Sequence, residues 1–137
     1  MIMYMNIKKR VKNEMSTFLL DPTEEGLRKI HRDYEVLALH AVWNSSGGIL
    51  SREIWNEVRK QMENPVSRST IIKFLQEATD RGIIRYDLET CKGGHRRRYY
   101  TEMNEEEYRE HIVRVVLESL LDDFPETKEV VQEIAQD

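Results

Sequence analysis

Two groups of side chains in this sequence have the types and spacing to bind a polyanion and to read it. In the first, Lys92, His95, Arg96, Arg97 and Arg98 crowd one short stretch, with Arg85 a few residues upstream. Guanidinium and ammonium groups at the tip of a β-hairpin can lie along a phosphate backbone or enter a minor groove. In the second, Ser67, Arg68, Ser69, Thr70, Lys73 and Gln76 supply hydroxyl, amide and cationic groups within about three helical turns. With Arg68 at 0° on a helical wheel, Ile71, Phe74, Leu75 and Ala78 fall between about 240° and 340°. The other side then carries Ser69, Lys73, Gln76 and Asp80, with Ile72 at its edge. Donors, acceptors and one apolar contact for a thymine methyl are what base-edge reading needs. Ser67, Arg68 and Thr70 sit at the helix start, where backbone N–H groups and hydroxyls hold phosphate.

Other chemistry finds little support. His31, His40, His95 and His111 are scattered, without a second ligand at metal spacing. His40, among apolar neighbours, reads as a core or interface residue, and Trp43 and Trp55 as core. Cys91 stands alone in what reads as an exposed turn beside Lys92. Neighbouring positive charge can lower a thiol pKa and make it a redox sensor, but an incidental cysteine is the simpler reading. Glycine-rich phosphate loops, nucleophile elbows and paired acids are all missing. The acidic run Glu105–Glu107 reads as a helix start, not a metal site. The expectation is therefore a protein that is not an enzyme and that takes no cofactor and no metal.

The elements that must position these groups follow from caps and periods. Asp21, Pro22 and Glu24 form a D-x-x-E helix start. Beyond it Leu27, Ile30, Tyr34, Leu37 and Ala41 repeat at helical spacing as far as Trp43, and Ser45–Gly48 makes a turn. After the extended pair Ile49-Leu50, Ser51 caps a helix with the stripe Ile54, Trp55, Val58 and Met62. Asn64-Pro65 breaks the chain. Ser67 caps the next helix, which stops at Gly82. Residues 83–89 and 95–101 alternate by two around a glycine-containing turn at 90–94, a hairpin. Asn104 caps a further helix, and residues 126–136 form a last one. The expected fold is mainly α with a small β-hairpin: a winged helix-turn-helix plus C-terminal dimerisation helices. Its divisions are an N-terminal extension, helical by its pattern (1–20), the winged unit (21–103) and a helical dimerisation region (104–137).

Charge follows the same division. The net charge is −4, which on its own argues against nucleic acid. Yet residues 51–101 carry 11 basic and 7 acidic side chains, whereas residues 102–137 carry 3 basic and 12 acidic. A basic middle meets phosphates, and an acidic end meets something else. Seven of the ten residues at 112–121 are apolar, more than one stripe requires. Such a helix must be covered on two sides, and a second subunit is the simplest second cover. Tyr108, Ile112, Val115, Val116 and Leu120 are the residues expected to make that contact. A single cysteine rules out an internal disulfide, no apolar run is long enough to span a bilayer, and the basic residues of the first ten follow the apolar ones, unlike a secretory signal. A cytoplasmic location is the expectation.

The segments LALHAVWNSS (37–46), SREIWNEV (51–58), VSRSTIIKFLQEATDRGII (66–84) and VVLESLLDDFP (115–125) resemble the penicillinase and methicillin-resistance repressor family. The wing GGHRRRYYTEM (93–103) is equally similar to wings of PadR-type regulators. The resemblance covers about 37–125 and leaves residues 1–30 outside. It implies a homodimer that sits on a palindromic operator of double-stranded DNA and represses transcription. The copper-responsive branch carries a cysteine-rich motif near its C-terminus, and here no cysteine follows Cys91, so that induction mechanism does not transfer. The alternative is a winged-helix protein-interaction adaptor or a non-specific nucleic-acid-binding module.

Overall fold

Asp21 does not open a helix in the computed structural model, which describes residues 20–136. Its carboxylate instead accepts hydrogen bonds from the backbone N–H (2.9 Å) and hydroxyl (2.6 Å) of Thr23, closing a local turn. Gly26 follows at φ +58°, a left-handed conformation that ends helical continuity. The chain then makes only a 3₁₀ turn, Gly26–Lys29, before the first α-helix, α1, at Asp33–Trp43. The true start lies at Arg32, whose N–H donates to the Glu35 side chain at 3.0 Å. The expected single helix from 21 to 43 is therefore two pieces, because an Asx turn and a positive-φ glycine outcompete the D-x-x-E pattern. The expectation of a helical 1–20 extension lies outside the described residues.

From α1 onward the order is as expected. The pair Ile49–Leu50 forms β1, followed by α2 (Ser51–Lys60), α3 (Arg68–Asp80), β2 (Arg85–Cys91), β3 (Gly94–Tyr100), α4 (Glu105–Asp123) and α5 (Thr127–Gln136). Ser51 is the first helical residue and not the cap; Leu50 takes that place, its N–H held by Glu53 at 3.1 Å. Ser67 is a true cap, accepting from the Thr70 N–H at 3.2 Å. The hairpin turn is tighter than the pattern suggested: Cys91 pairs with Gly94, leaving only Lys92 and Gly93 between the strands. Cys91 is thus the half-buried last residue of β2 and not an exposed turn residue. The sheet has the antiparallel order β1-β3-β2, with Ile49 opposite Tyr99 and Leu50 opposite Arg98. Gly48 enters β1 at φ +85°, and a Cβ there would lie 2.6 Å from the Arg98 side chain, so no larger residue fits.

The core is the meeting of α1, α2 and α3 beneath the sheet. Ala38, Leu39 and Val42 from α1 meet Ile54 and Val58 from α2, and Ile71, Phe74, Leu75 and Ala78 from α3, all buried. Burial of each larger side chain contributes about 1.5–3 kcal/mol. Trp43 and Trp55 are half-buried at the margin, and each indole N–H donates to a carbonyl, Met103 at 3.0 Å and Val66 at 3.1 Å.

Tyr108 joins α4 to this core. It is 1% exposed, so it belongs to the interior of its own chain and not to a subunit contact. Its hydroxyl lies 2.6 Å from His31 Nε2, and His31 Nδ1 is 3.6 Å from Glu35. A large amphipathic aromatic with its polar tip satisfied is a cheap group to bury. Burial, reinforced by the nearby Glu35 charge, pushes the Tyr108 phenol well above its ordinary pKa.

Tyr108→Phe removes only the buried hydrogen bond, and a loss of about 1–3 kcal/mol is expected. Tyr108→Ala also leaves a cavity, and about 3–5 kcal/mol is expected. Denaturant unfolding followed by circular dichroism measures both; equal losses would mean that ring packing contributes nothing beyond the hydroxyl.

Candidate nucleic-acid interface

One side of α3 is locked and the other is open. Ile71, Leu75 and Ala78 are fully buried and Phe74 nearly so, as the wheel required. Arg68, Ser69, Ile72, Lys73 and Gln76 are consequently exposed. Ile72, 43% exposed, is an apolar residue set among polar ones, placed to meet a methyl group. At the helix start the Ser67 hydroxyl lies 3.0 Å from the hydroxyls of both Ser69 and Thr70. Thr70 is half-buried and Ser67 and Ser69 are exposed, so the three form a small hydroxyl cluster over the first-turn N–H groups. Among the described residues neither Arg68 nor Lys73 makes an ion pair, and both cations are available to a ligand.

Gln76 is not free to read bases in this arrangement. Its amide oxygen accepts from Arg97 Nη1 at 2.7 Å, and its amide nitrogen donates to Asp80 at 2.9 Å. Arg97 also stacks over Tyr86, its guanidinium carbon 4.2 Å from the ring centroid. These contacts fasten the wing to α3 and fix the distance between the two groups of candidate residues.

The alternation of the hairpin is as expected. Tyr99 points inward and is buried, Arg97 shares its side, and Arg96 and Arg98 point to the other. Tyr86 packs edge-on against Tyr99 with centroids 5.9 Å apart, so these aromatics hold the sheet together and are not offered as a stacking platform. Arg96 and Arg98 converge on Glu89. Arg96 Nε donates at 2.5 Å, and Arg98 donates at 2.8 and 3.0 Å to the two carboxylate oxygens. Register explains this: Glu89 lies opposite Arg96 and diagonal to Arg98. The two charge-assisted hydrogen-bond sets, Arg98 first, hold the Glu89 carboxyl at about 2, against an ordinary value of 4.5. Reciprocally, Glu89 raises the Arg98 pKa. Arg98 also reaches the Gly48 carbonyl at 3.4 Å, bracing β1.

The outer wing surface therefore consists of Lys92 and His95, both exposed, and the exposed edge of Arg96; Arg97 and Arg98 are half-buried. Residue types alone showed the arginines but missed Glu89. The available signal was its place three residues before the turn, on the strand face shared with Arg96 and Arg98. Sequence reasoning also missed His31 and Glu35, whose i,i+4 spacing on the approach to α1 was the only clue. His40 is not a core residue: its side chain is 43% exposed, 3.5 Å from Glu105 and tilted against Trp43. Among the described residues no cluster of three or more His, Cys, Asp or Glu could hold a metal, and no helix is long and apolar enough to cross a membrane.

The C-terminal helices leave much apolar surface uncovered. Val113 (55% exposed), Leu121 (44%), Phe124 (58%) and Ile134 (67%) project from α4 and α5, with Leu120, Val130 and Val131 beside them. Ile112 packs against the core, and Val115 and Val116 are half-buried. The surface on offer is thus rotated around α4 from the expected set, leaving Leu120 as its exposed member.

Among known proteins, the family model described as penicillinase repressor matches residues 33–137. No curated protein and no solved structure matches the chain.

Because the folded Glu89 carboxyl titrates near 2 and the unfolded one near 4.5, the Glu89 cluster stabilises fully above about pH 4.5. That contribution is lost as pH falls through the folded value. Glu89→Gln should therefore flatten the fall of the thermal midpoint between pH 4.5 and 2. An unchanged acid limb would show that the carboxylate is not held by its arginines in solution.

Proposed function

Because the chain belongs to the penicillinase repressor family, a family of DNA-binding transcriptional repressors and not of enzymes, we propose that it binds a palindromic operator as a homodimer. The single observation that carries this reading is α3: its apolar side is wholly buried, while Arg68, Ser69, Ile72 and Lys73 face outward beside a cationic wing fastened to it by Arg97 and Gln76. In this reading residues 21–103 form the DNA-binding unit and 104–137 the dimerisation region.

The second helix of a helix-turn-helix lies in the major groove with its N-terminal residues at the base edges. Lys73 and Ser69 then meet bases, Ile72 meets a thymine methyl, and Arg68 reaches either a base or the flanking phosphate. Ser67, Thr70 and the first-turn N–H groups hold a phosphate, which sets register but carries no sequence information. Lys92, His95 and Arg96 follow the backbone at the wing. Arg97 and Arg98 add positive charge from behind while bracing the hairpin, and Gln76 positions Arg97. The acidic stretch 102–137, kept on the helices beyond the wing, stays away from the phosphates.

The uncovered face of α4 and α5 supports the two-fold reading. Leu120, Leu121, Phe124, Val130 and Ile134 offer an exposed apolar surface of the kind isologous dimers bury. Pairing through it sets two copies of α3 apart by one DNA turn, about 34–36 Å, or a multiple of it. The bound dimer then represses by occupying the promoter.

The test is titration of labelled duplex from the chain's own promoter against a scrambled duplex, at two salt concentrations. Preference for the promoter that survives higher salt is expected; equal, salt-sensitive binding would sink the sequence-specific reading. Lys73→Ala and Ser69→Ala should each cost about 1–3 kcal/mol at one base position and relax preference there. Lys92→Ala or Arg96→Ala should instead weaken binding to all duplexes and lower the slope of log K against log salt by about 1. If the two kinds of variant behaved alike, the assignment of roles would be wrong.

Sedimentation equilibrium tests the dimer separately. Leu121→Glu combined with Phe124→Glu is expected to convert a dimer into a folded monomer and to steepen the loss of operator binding on dilution. A wild-type chain that sediments as a monomer at tens of micromolar would remove the homodimer and favour an adaptor role.

A further inference from the structure

The burial of Ile54 and Val58 fixes the setting of α2 as firmly as the core fixes α3. It turns Arg52, Trp55 and Arg59 to one neighbouring side, at i, i+3 and i+7. Trp55 is half-buried in the seam between α2 and the turn that leads to α3. Its indole N–H donates to the Val66 carbonyl at 3.1 Å, one residue before the Ser67 cap. Arg59, which is exposed, lies over the same ring with its guanidinium carbon 4.4 Å from the centroid. The indole thus ties the last turn of α2 to the start of α3 by its edge and carries a cation on its face.

That cation is not spent on a carboxylate. Among the described residues Arg59 makes no ion pair, and the nearby Glu57 is taken by Lys60 at 3.3 Å. A stacked guanidinium uses its face and keeps its in-plane N–H donors, the fork that fits two oxygens of a phosphate. Stacking also restricts the long side chain before a ligand arrives, so less freedom is lost on binding. Shielding the ring from water would need only an apolar stem; the charge calls for another partner. In a helix-turn-helix the first helix crosses the sugar-phosphate backbone while the second lies in the groove. Here α2 is the first helix, and Arg59 stands where it approaches the second.

Resting on the DNA-binding reading above, we infer that Arg59 holds a backbone phosphate of the operator and that Trp55 is its positioning residue. The contact carries no sequence information; it sets how the start of α3 enters the groove, and so the register of Ser69 and Lys73 on the base edges. Trp55 does not touch the DNA. It fixes Arg59 relative to Val66, so that the cation and the reading helix are held as one body. Lys60, about 140° round α2 from Trp55, is the neighbouring cation without this placement. The assignment does not depend on the homodimer and stands if the chain binds as a monomer.

The test titrates the full-length chain with labelled promoter and scrambled duplexes over a series of salt concentrations, with the thermal midpoint recorded alongside. Arg59→Ala is expected to weaken binding to both duplexes several-fold and to lower the slope of log K against log salt by about 1. Arg59→Lys should restore the slope, and Lys60→Ala, an equal change of charge, should leave it as it was. Trp55→Phe, which loses the bond to Val66, should lower affinity while keeping the slope, since the charge remains but is no longer placed. Promoter duplexes carrying single neutral methylphosphonate linkages then identify the phosphate. At one position the neutral linkage should cost the wild-type chain several-fold and Arg59→Ala nothing. A lowered midpoint with an unchanged salt slope in Arg59→Ala would mean that the side chain only covers the ring, and would overturn the proposal. If Lys92→Ala lowered the slope and Arg59→Ala did not, this assignment alone would fall; a wild-type chain that bound no duplex would remove the DNA reading with it.

Discussion

The arrangement of this chain depends on the one-sided burial of α3. Four of its side chains, Ile71, Phe74, Leu75 and Ala78, close the core against α1 and α2. Interiors are close-packed, so a helix that fills such a slot cannot rotate without opening voids or clashes. Its rotational setting is thereby fixed, and with it the outward direction of Arg68, Ser69, Ile72 and Lys73. The open face of α3 is a consequence of the core and needs no rigidity of its own. The wing inherits the same frame: Arg97 joins Gln76 on α3, and Arg98 joins Gly48 and, through Glu89, Arg96. Positions more than twenty residues apart are thus held in one surface.

Electrostatics in the wing is a compromise between cohesion and attraction. Three consecutive arginines at the end of a two-stranded ribbon repel one another, and an isolated hairpin is marginal in water. Glu89 relieves the repulsion by taking Arg96 and Arg98 together, at the cost of one positive charge to any phosphate outside. Tyr86 takes Arg97 by its face. What remains outermost is Lys92 at the turn, His95 and the edge of Arg96. A cationic surface built so is braced before it meets a ligand, and fewer side chains then lose freedom on binding. Its charge is also decoupled from the net charge of the chain, because the excess of acid sits on α4, α5 and their flanks.

Much of the fold was legible because its signals are local. Ser67 and Asn104 cap the helices they were expected to cap, the latter accepting from Glu107 at 2.8 Å. The buried sector of α3 fell where a 3.6-residue period puts it, and the inward Tyr99 and outward Arg96 and Arg98 follow from a period of two. The failures share a different origin. Asp21 satisfied a helix-start pattern, yet its carboxylate found Thr23 first and Gly26 turned left-handed; a pattern says which bonds are possible, and competition decides among them. Tyr108 looked like one more apolar residue on a helix with too many, but the chain folds back to bury it against His31, a partner 77 positions away. Glu89 as the hub of the wing required the hairpin register, which the turn length sets. Long-range pairing, not propensity, is what the string of residues hides.

Tyr108 also explains why a helix as apolar as α4 is built in two halves. Near its start it is pinned: Tyr108 is inside the core, Ile112 packs on it, and Trp43 reaches the Met103 carbonyl just before the cap. Beyond Leu117, among the described residues, it is α5 that packs beside it, and the exposed apolar side chains multiply. A helix fixed at one end and apolar at the other acts as a rigid lever, since an α-helix transmits an angle set in its first turns to residues about 1.5 Å further along for each position. A small tilt at Tyr108 would move Phe124, sixteen residues on, by several ångströms. Whatever seats the first half of α4 therefore sets where the second half presents its surface. The small aromatic junction at His31 and Tyr108 is thus where the direction of α4 relative to the core is set.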